Sequence, residues 1–317
     1  MSELLIEGYG ICLGARKGYL YVRTHKGEET LIPPSTLTGV LITSASTRLS
    51  AKSLIILSRF GVELTVMHKG KPMCKVMPAT GGAALQTKLA QIEALNNGKR
   101  LYSAKMFIKG KLHNQRMVIR QKAREVRNST LMLELEKDEA AICHTLSLME
   151  SSTTIDQVRA YEANAARNYW HAVSLMIPPQ LGFGGRVVRN PKDDFNRALN
   201  IGYGVLRAKV WSAVLLAGLD PFIGLLHMPR GRHMCLVSDL MEEFRPVVVD
   251  RPLITYAMRD PDFMKHAGSF RKVISLIIDT LRANESALSK AILLQARRLA
   301  SYLRGEIDDY EPFRLKW

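Results

Sequence analysis

Acidic residues are scarce in this chain: 29 Asp and Glu stand against 45 Lys and Arg in 317 residues, a formal net charge of +16. That balance argues against an acidic, solvating protein. It points to a polyanionic partner, whether DNA, RNA or an acidic membrane surface. Cysteine is sparse too. Cys12, Cys74, Cys143 and Cys235 lie far apart with no CxxC or CxxxH spacing, which excludes a sequence-local zinc motif and a disulfide framework. Long apolar runs are missing. The best, residues 210–219, contains Trp211 and Ser212 and is about half of the roughly 20 residues a membrane span needs. The N-terminus opens Met-Ser-Glu-Leu-Leu-Ile-Glu, acidic where a secretory signal is basic. A cytoplasmic protein with no membrane partner is expected.

What is present changes character along the chain. Residues 1–79 read as β-rich: segments 4–9, 19–23, 38–43 and 62–67 concentrate β-branched and aromatic side chains, with Lys17-Gly18, Lys26-Gly27 and Lys69-Gly70 as turns. One helix interrupts them, with Ser50 as its cap, Leu54, Ile55 and Leu57 as apolar positions and Gly61 at its end. Pro78-Ala79-Thr80-Gly81-Gly82 reads as a linker. From residue 84 the apolar spacing turns helical. Helices are predicted over 85–97, 102–127, 130–149, 154–176, 194–217, 236–244 and 284–303. Gly98 separates the first two, Thr154 and Asp193 serve as caps, and Gly218 and Pro221 close the fifth. Residues 178–191, with Gly182, Gly184 and Gly185, read as a loop. The expected fold class is α+β multidomain: a small N-terminal β-rich domain, 1–79, then a larger all-α domain, 84–317.

The positive charge is concentrated. Residues 99–127 carry ten Lys or Arg and one acid, Glu125. On a helix, Lys109, Arg116, Arg120 and Arg127 fall near one face, and Lys111 lies among them. Such a stripe suits phosphate contact rather than base reading; a solvated helix face is the plainer alternative. Arg186, Arg189 and Lys192 sit in or beside the glycine-rich loop, which reads either as a mobile grip on nucleic acid or as a connector.

Three short words carry metal-competent side chains on mostly apolar segments. Glu162 shares a helical face with Ala165, Ala166 and Tyr169, which leaves room beside its carboxylate and puts a hydroxyl within reach. The bland alternative is an ion pair with Arg159 or Arg167. His227 ends an apolar stretch; Arg230 and Arg232 follow it and disfavour the imidazolium, and the neutral ring is the form that binds metal. Asp239 and Glu242 are one helical turn apart, with Arg245 a further turn on. There one carboxylate can bind and the other support it, or both can merely pair with Arg245. Glu, His and Glu from three helices make an oxygen-rich set suited to Mg²⁺ or Mn²⁺. Such a metal can polarise a phosphate and activate a hydroxyl.

These words, in order, resemble the universal CRISPR-associated integrase family, the "Cas one" proteins. The resemblance is carried by Tyr161-Glu162-Ala163-Asn164-Ala165-Ala166-Arg167-Asn168-Tyr169, by Asp194-Phe195-Asn196 through Tyr203-Gly204, by Gly218-Leu219-Asp220-Pro221 through His227, and by Asp239-Leu240-Met241-Glu242-Glu243-Phe244-Arg245-Pro246 with Asp250 beyond. Ile32-Pro33 and the run from Lys109-Gly110-Lys111 to Asn114-Gln115-Arg116 agree. Ala163 departs from the family's usual Gly, and Glu243 from its usual Pro. The resemblance implies a homodimer built through residues 1–79 and a catalytic domain in 84–317. It implies Glu162, His227 and Glu242 as ligands of Mg²⁺ or Mn²⁺ and as catalytic residues, with Asp239, Tyr169, Tyr203 and Arg245 supporting them or positioning DNA. Lys109, Lys111, Arg116, Arg120, Arg186 and Arg189 are the expected DNA-binding residues. The implied activity is that of a metal-dependent DNA endonuclease and integrase: a prespacer 3′-hydroxyl attacks a repeat-end phosphodiester of a CRISPR array. A small ferredoxin-like companion subunit is the implied partner. A related integrase of a mobile element and a non-catalytic DNA-binding scaffold are the alternatives.

Overall fold

The computed structural model describes residues 2–77, 84–228, 233–264, 269–282 and 287–315. The linker reading at 78–82, and Arg230 and Arg232, lie outside the described residues. The chain divides into two compact units, Met1–Gly82 and Ala83–Trp317.

The first unit is strand-rich. Its elements are β1 (Ser2–Ile6), β2 (Cys12–Arg16), β3 (Tyr19–Arg23), β4 (Glu29–Ile32), β5 (Leu37–Ile42), β6 (Arg48–Leu49), α1 (Ala51–Arg59), β7 (Glu63–His68) and β8 (Lys71–Val76). They form two four-stranded sheets, ordered β1-β5-β7-β8 and β4-β3-β2-β6. The β1-β5-β7 pairs are parallel and β7-β8 is antiparallel. In the other sheet β4-β3-β2 is antiparallel and β6 joins parallel to β2. The hairpin turns at Lys17-Gly18 and Lys69-Gly70 have positive φ at both residues, the backbone twist that two-residue hairpins favour. Ser50 caps α1 by accepting from the Ser53 amide at 3.1 Å. Leu13 and Leu20 of one sheet, Val40, Ile42 and Leu64 of the other, and Ile56 and Leu57 of α1 bury in one apolar cluster.

Four strands, β2, β4, β6 and β8, lie where no strand is predicted. Their sequences explain why. Gly14 and Arg16 dilute the β pattern of β2, and β6 is two residues long. Pro72 would argue against a central strand, but β8 is at the sheet edge, where proline is tolerated. β1 stops at Ile6 instead of running to Tyr9.

Only helices occur among the described residues of the second unit. They are α2 (Ala84–Ala94), α3 (Gly98–Glu125), α4 (Ser129–Glu150), α5 (Ile155–Met176), α6 (Asp194–Leu216), α7 (Cys235–Met241), α8 (Arg251–Arg259), α9 (Ser269–Arg282) and α10 (Ala287–Arg304). Gly98 does not separate two helices as a break; it is the first residue of α3, whose cap Asn97 accepts from the Lys99 amide at 2.9 Å. Thr154 and Gln157 form a reciprocal capping box at the start of α5, and Asp193 caps α6 by accepting from the Asn196 amide at 2.7 Å. The helices α3, α4 and α5 pack on one another, as do α6, α9 and α10. Two helices, α8 and α9, lie where none is predicted. Between α7 and α8 the residues Pro246–Asp250 form a π-helical turn, a form often found at functional sites. None of the described helices is long and apolar enough to cross a membrane.

Candidate active site

The segment after α6 is shaped around one buried carboxylate. Leu219 donates back to the Val214 carbonyl at 3.1 Å, closing α6. Gln91 then grips the turn, accepting from the Asp220 amide at 2.8 Å and donating to the Ile223 carbonyl at 2.6 Å. Asp239 of α7 is fully buried. Its Oδ2 accepts from the Leu225 and Leu226 amides at 2.7 and 2.9 Å, and its Oδ1 from the His227 amide at 3.1 Å. The same Oδ1 lies 2.6 Å from His227 Nδ1. A carboxylate here accepts, so Nδ1 carries the proton and Nε2 is left with its lone pair, the arrangement of a metal-ligating histidine. The hydrogen bond to Asp239 raises the His227 pKa, with burial opposing and the charges of Asp239, Glu242 and Glu162 adding. Gly224 makes this wrap possible: a Cβ there would overlap the His227 carbonyl oxygen and approach Asp239 Oδ2 to 3.0 Å.

Glu162 and Glu242 meet on a third residue. Lys111, from the middle of α3, places Nζ 2.5 Å from Glu162 Oε1 and 2.7 Å from Glu242 Oε2. Arg245 Nη2 reaches the other oxygen of Glu242 at 3.1 Å. Burial by itself would lower the Lys111 pKa, but the two carboxylates outweigh it and raise it. Burial likewise pushes Glu242 up, yet Arg245 and Lys111 hold its carboxyl below the usual range. The ion-pair partner of Glu162 is Lys111; Arg159 pairs with Asp156 at 3.3 Å and donates to the Leu226 carbonyl at 2.5 Å. Among the described residues no three His, Cys, Asp or Glu side chains stand close enough to hold a metal ion as they are placed. The donor set nevertheless fits a hard divalent cation. Two carboxylates converge on one ammonium, and the oriented imidazole feels both of their charges.

Behind Glu242 lies a second network. Asp250, buried in the π-helical turn, accepts from Tyr203 at 2.5 Å and from Tyr169 at 3.0 Å. Tyr169 therefore serves Asp250, not Glu162 as its helical spacing suggests. Burial lifts the Asp250 carboxyl to about 6, against the pull of the two tyrosines, Arg245 and Arg186. Two guanidinium groups lie over the Tyr203 ring, Arg186 at 5.3 Å and Arg245 at 5.1 Å from its centroid. Arg186, in the loop, is held from α6 by Asn196 Oδ1 at 2.9 Å and Asn200 Oδ1 at 2.6 Å. Asn196 also donates to the Gly185 carbonyl at 2.8 Å. The glycine-rich loop is thus tethered to α6. Arg245 Nε is buried without a hydrogen-bond partner among the described residues.

The predicted phosphate stripe divides. Lys109 pairs with Glu150 at 2.6 Å and Arg116 with Glu139 at 2.7 Å, both on α4, while Arg120 and Arg189 are exposed. Lys111, expected to bind DNA, lies in the site, on another face of α3 from Lys109. Two contributors were missed in the sequence. Arg207, one helical turn beyond Tyr203, is close enough for the charges of Arg245 and Glu242 to act on it; an arginine among Val205, Leu206 and Ala208 is its only sequence signal. The other is Glu243, wholly buried, whose carboxylate accepts from Tyr310, from Gln295 at 2.9 Å and from the Phe313 amide at 2.6 Å. Asn114 completes that attachment, donating to the Glu243 and Phe313 carbonyls at 2.8 and 3.1 Å. The C-terminal segment thereby crosses Gly110, where a Cβ would stand 2.9 Å from Pro312 and 3.0 Å from Glu243.

Comparison with known proteins places this geometry in a family. The model for "CRISPR associated protein Cas1" matches residues 4–271. The chain is 34% identical over 313 residues to the CRISPR-associated endonuclease Cas1 1 of Saccharolobus solfataricus, covering 98% of this chain and 83% of that protein. In fold it is similar to a casposase bound to integration product, with a TM-score of 0.83 at 24% identity, over 98% of this chain and 93% of the other. It is also similar to a chain of a Cas6-RT-Cas1–Cas2 complex, with a TM-score of 0.77 at 18% identity, over 99% of this chain and 36% of that one. With the family model matched along most of its length, and a relative of that identity across nearly all of it, the chain belongs to the CRISPR-associated Cas1 family.

Proposed function

We propose that the chain is a metal-dependent DNA endonuclease and integrase of CRISPR adaptation. It joins a prespacer 3′-hydroxyl to a phosphodiester at a repeat boundary. One observation carries the reading: Glu162 and Glu242 converge on a single cationic group, beside a histidine whose Nε2 is left available by Asp239. Glu162, His227 and Glu242 would hold Mg²⁺ or Mn²⁺, which supplies Lewis-acid polarisation of the phosphate and activation of the attacking hydroxyl.

The protein's own groups do the rest. Asp239 keeps the proton on Nδ1 and fixes the plane of the ring. Arg245 and Arg186 bring guanidinium charge to Tyr203, suited to phosphate oxygens. The reaction is balanced without a nucleotide: the attacking oxygen forms a bond to phosphorus, the repeat strand's bond from phosphorus to its 3′-oxygen breaks, and the proton lost by one hydroxyl is matched by one gained at the other. Insertion on both strands needs two such sites, hence a homodimer. A relative in a Cas1–Cas2 assembly supports a small ferredoxin-like companion that spaces them. The basic chain supplies the affinity for DNA.

The test is a half-site integration assay with Mn²⁺. Wild-type protein joins a 3′-hydroxyl oligonucleotide to a repeat-bearing duplex, whereas Glu162→Gln and His227→Ala lose at least about a hundredfold in rate. Undiminished joining by either variant overturns the site assignment.

A further inference from the structure

The carboxylates proposed to bind metal already share a cation that belongs to the protein. Lys111 Nζ stands 2.5 Å from one and 2.7 Å from the other, and its side chain is only 10% exposed. These are charge-assisted contacts in a buried setting, where each counts for more than in water. Each carboxylate already faces a cation of the protein: Glu162 faces Lys111, and Glu242 faces Lys111 and Arg245. A divalent cation drawn to the same oxygens meets an ammonium 2.5 and 2.7 Å from them. It also brings two further positive charges beside those of Lys111, Arg245 and Arg207. The two cations cannot share the position at full strength.

The backbone under Lys111 has little room to yield. Gly110 lies against Glu243 and Pro312, and Leu112 is wholly buried. Withdrawal of the ammonium falls to the lysine side chain, which is flexible enough to supply it.

Resting on the metal reading above, we propose that Lys111 is an internal competitor for the divalent cation. It holds Glu162 and Glu242 in register before metal arrives, must release them for metal to bind, and so sets the affinity of the site. Lys111 is therefore a positioning residue whose removal should tighten metal binding, not weaken it. The same removal should destabilise the metal-free protein, because Glu162 then loses its Lys111 partner and buried Glu242 keeps, of these two cations, only Arg245. A residue serving only DNA contact would do neither.

The experiment is calorimetric titration of the full chain with Mn²⁺ alone, with no DNA present, together with thermal melting in chelator. Lys111→Met is expected to bind Mn²⁺ at least about tenfold more tightly than wild type. It should melt at lower temperature in chelator and regain more of that loss on adding Mn²⁺ than wild type gains. The double variant Lys111→Met/Glu162→Gln, with one carboxylate neutralised, should melt above Lys111→Met in chelator. If Lys111→Met does not fold, the comparison is the double variant against Glu162→Gln alone, with tighter Mn²⁺ binding again expected in the variant lacking the lysine. Equal or weaker binding on removing Lys111, with wild type binding Mn²⁺, overturns the competitor role and leaves the metal site standing. Absence of Mn²⁺ binding by wild type and Lys111→Met alike overturns the metal reading and this inference with it.

Discussion

Asp239 shows how much one side chain can organise. Three backbone amides and an imidazole converge on its two oxygens inside a fully buried pocket. Its removal leaves buried donors unpaired, each worth about 1–3 kcal/mol, and frees the ring to rotate. Asp239→Ala should therefore lower the melting temperature and weaken Mn²⁺ binding about 10- to 100-fold, the usual cost of losing such support. Calorimetry and a thermal melt check both effects, and unchanged metal affinity would remove the positioning role. In the sequence Asp239 reads as a support for the ligand set or for DNA, but its amide partners could not be read, because a residue's backbone partners do not follow from helical spacing. Tyr169 is the converse. Its place one face from Glu162 is correct, but its hydroxyl goes to Asp250 on another element.

At the scale of elements, close approach decides more than propensity. The turn from α6 to His227 can wrap Asp239 only because position 224 has no side chain. Gly224→Ala should cost about 1–3 kcal/mol through overpacking, seen in urea denaturation, and slow integration by displacing His227. The helices α3 to α6 are well marked by caps and period, and Thr154 and Asp193 cap as their residue types dictate. The helices α8 and α9 escaped notice for a local reason. They follow Val247, Val248 and Val249, a β-branched run that reads against helix yet is buried in a π-helical turn, and Pro252 sits where it is harmless, in the first turn of α8.

Over the whole molecule two quantities follow from charge and burial. Burial lifts the Glu243 carboxyl to about 7, against an ordinary value of 4.5 and against its bonds to Tyr310, Phe313 and Gln295. A folded-state value above the unfolded one means stability present in full below about pH 4.5 and lost as the pH rises towards 7. Glu243→Gln should flatten that part of the melting-temperature profile relative to wild type; an unchanged difference across pH 4.5–7 would mean that Glu243 does not hold the C-terminal segment in this way. The net charge of +16 predicts DNA affinity that falls steeply with salt, each neutralised phosphate adding roughly −0.9 to the logarithmic slope. Loss of exposed Arg120 or Arg189 should flatten the slope more than loss of Lys109 or Arg116, which are engaged by Glu150 and Glu139. Binding titrations across a salt series decide this.

The strand-rich first part, the helical remainder and the order of the Glu162, His227 and Glu242 words are all legible in the residues. Each follows from local pattern: alternation, helical period, turn and cap chemistry. Packing is what stands Lys111 between Glu162 and Glu242, gives the imidazole to Asp239 and has Glu243 secure the C-terminal segment over Gly110. The physical reason is common to all three. A charged side chain on a helix has several possible partners at the sequence level, and burial selects among them by the cost of leaving any one charge or donor unpaired.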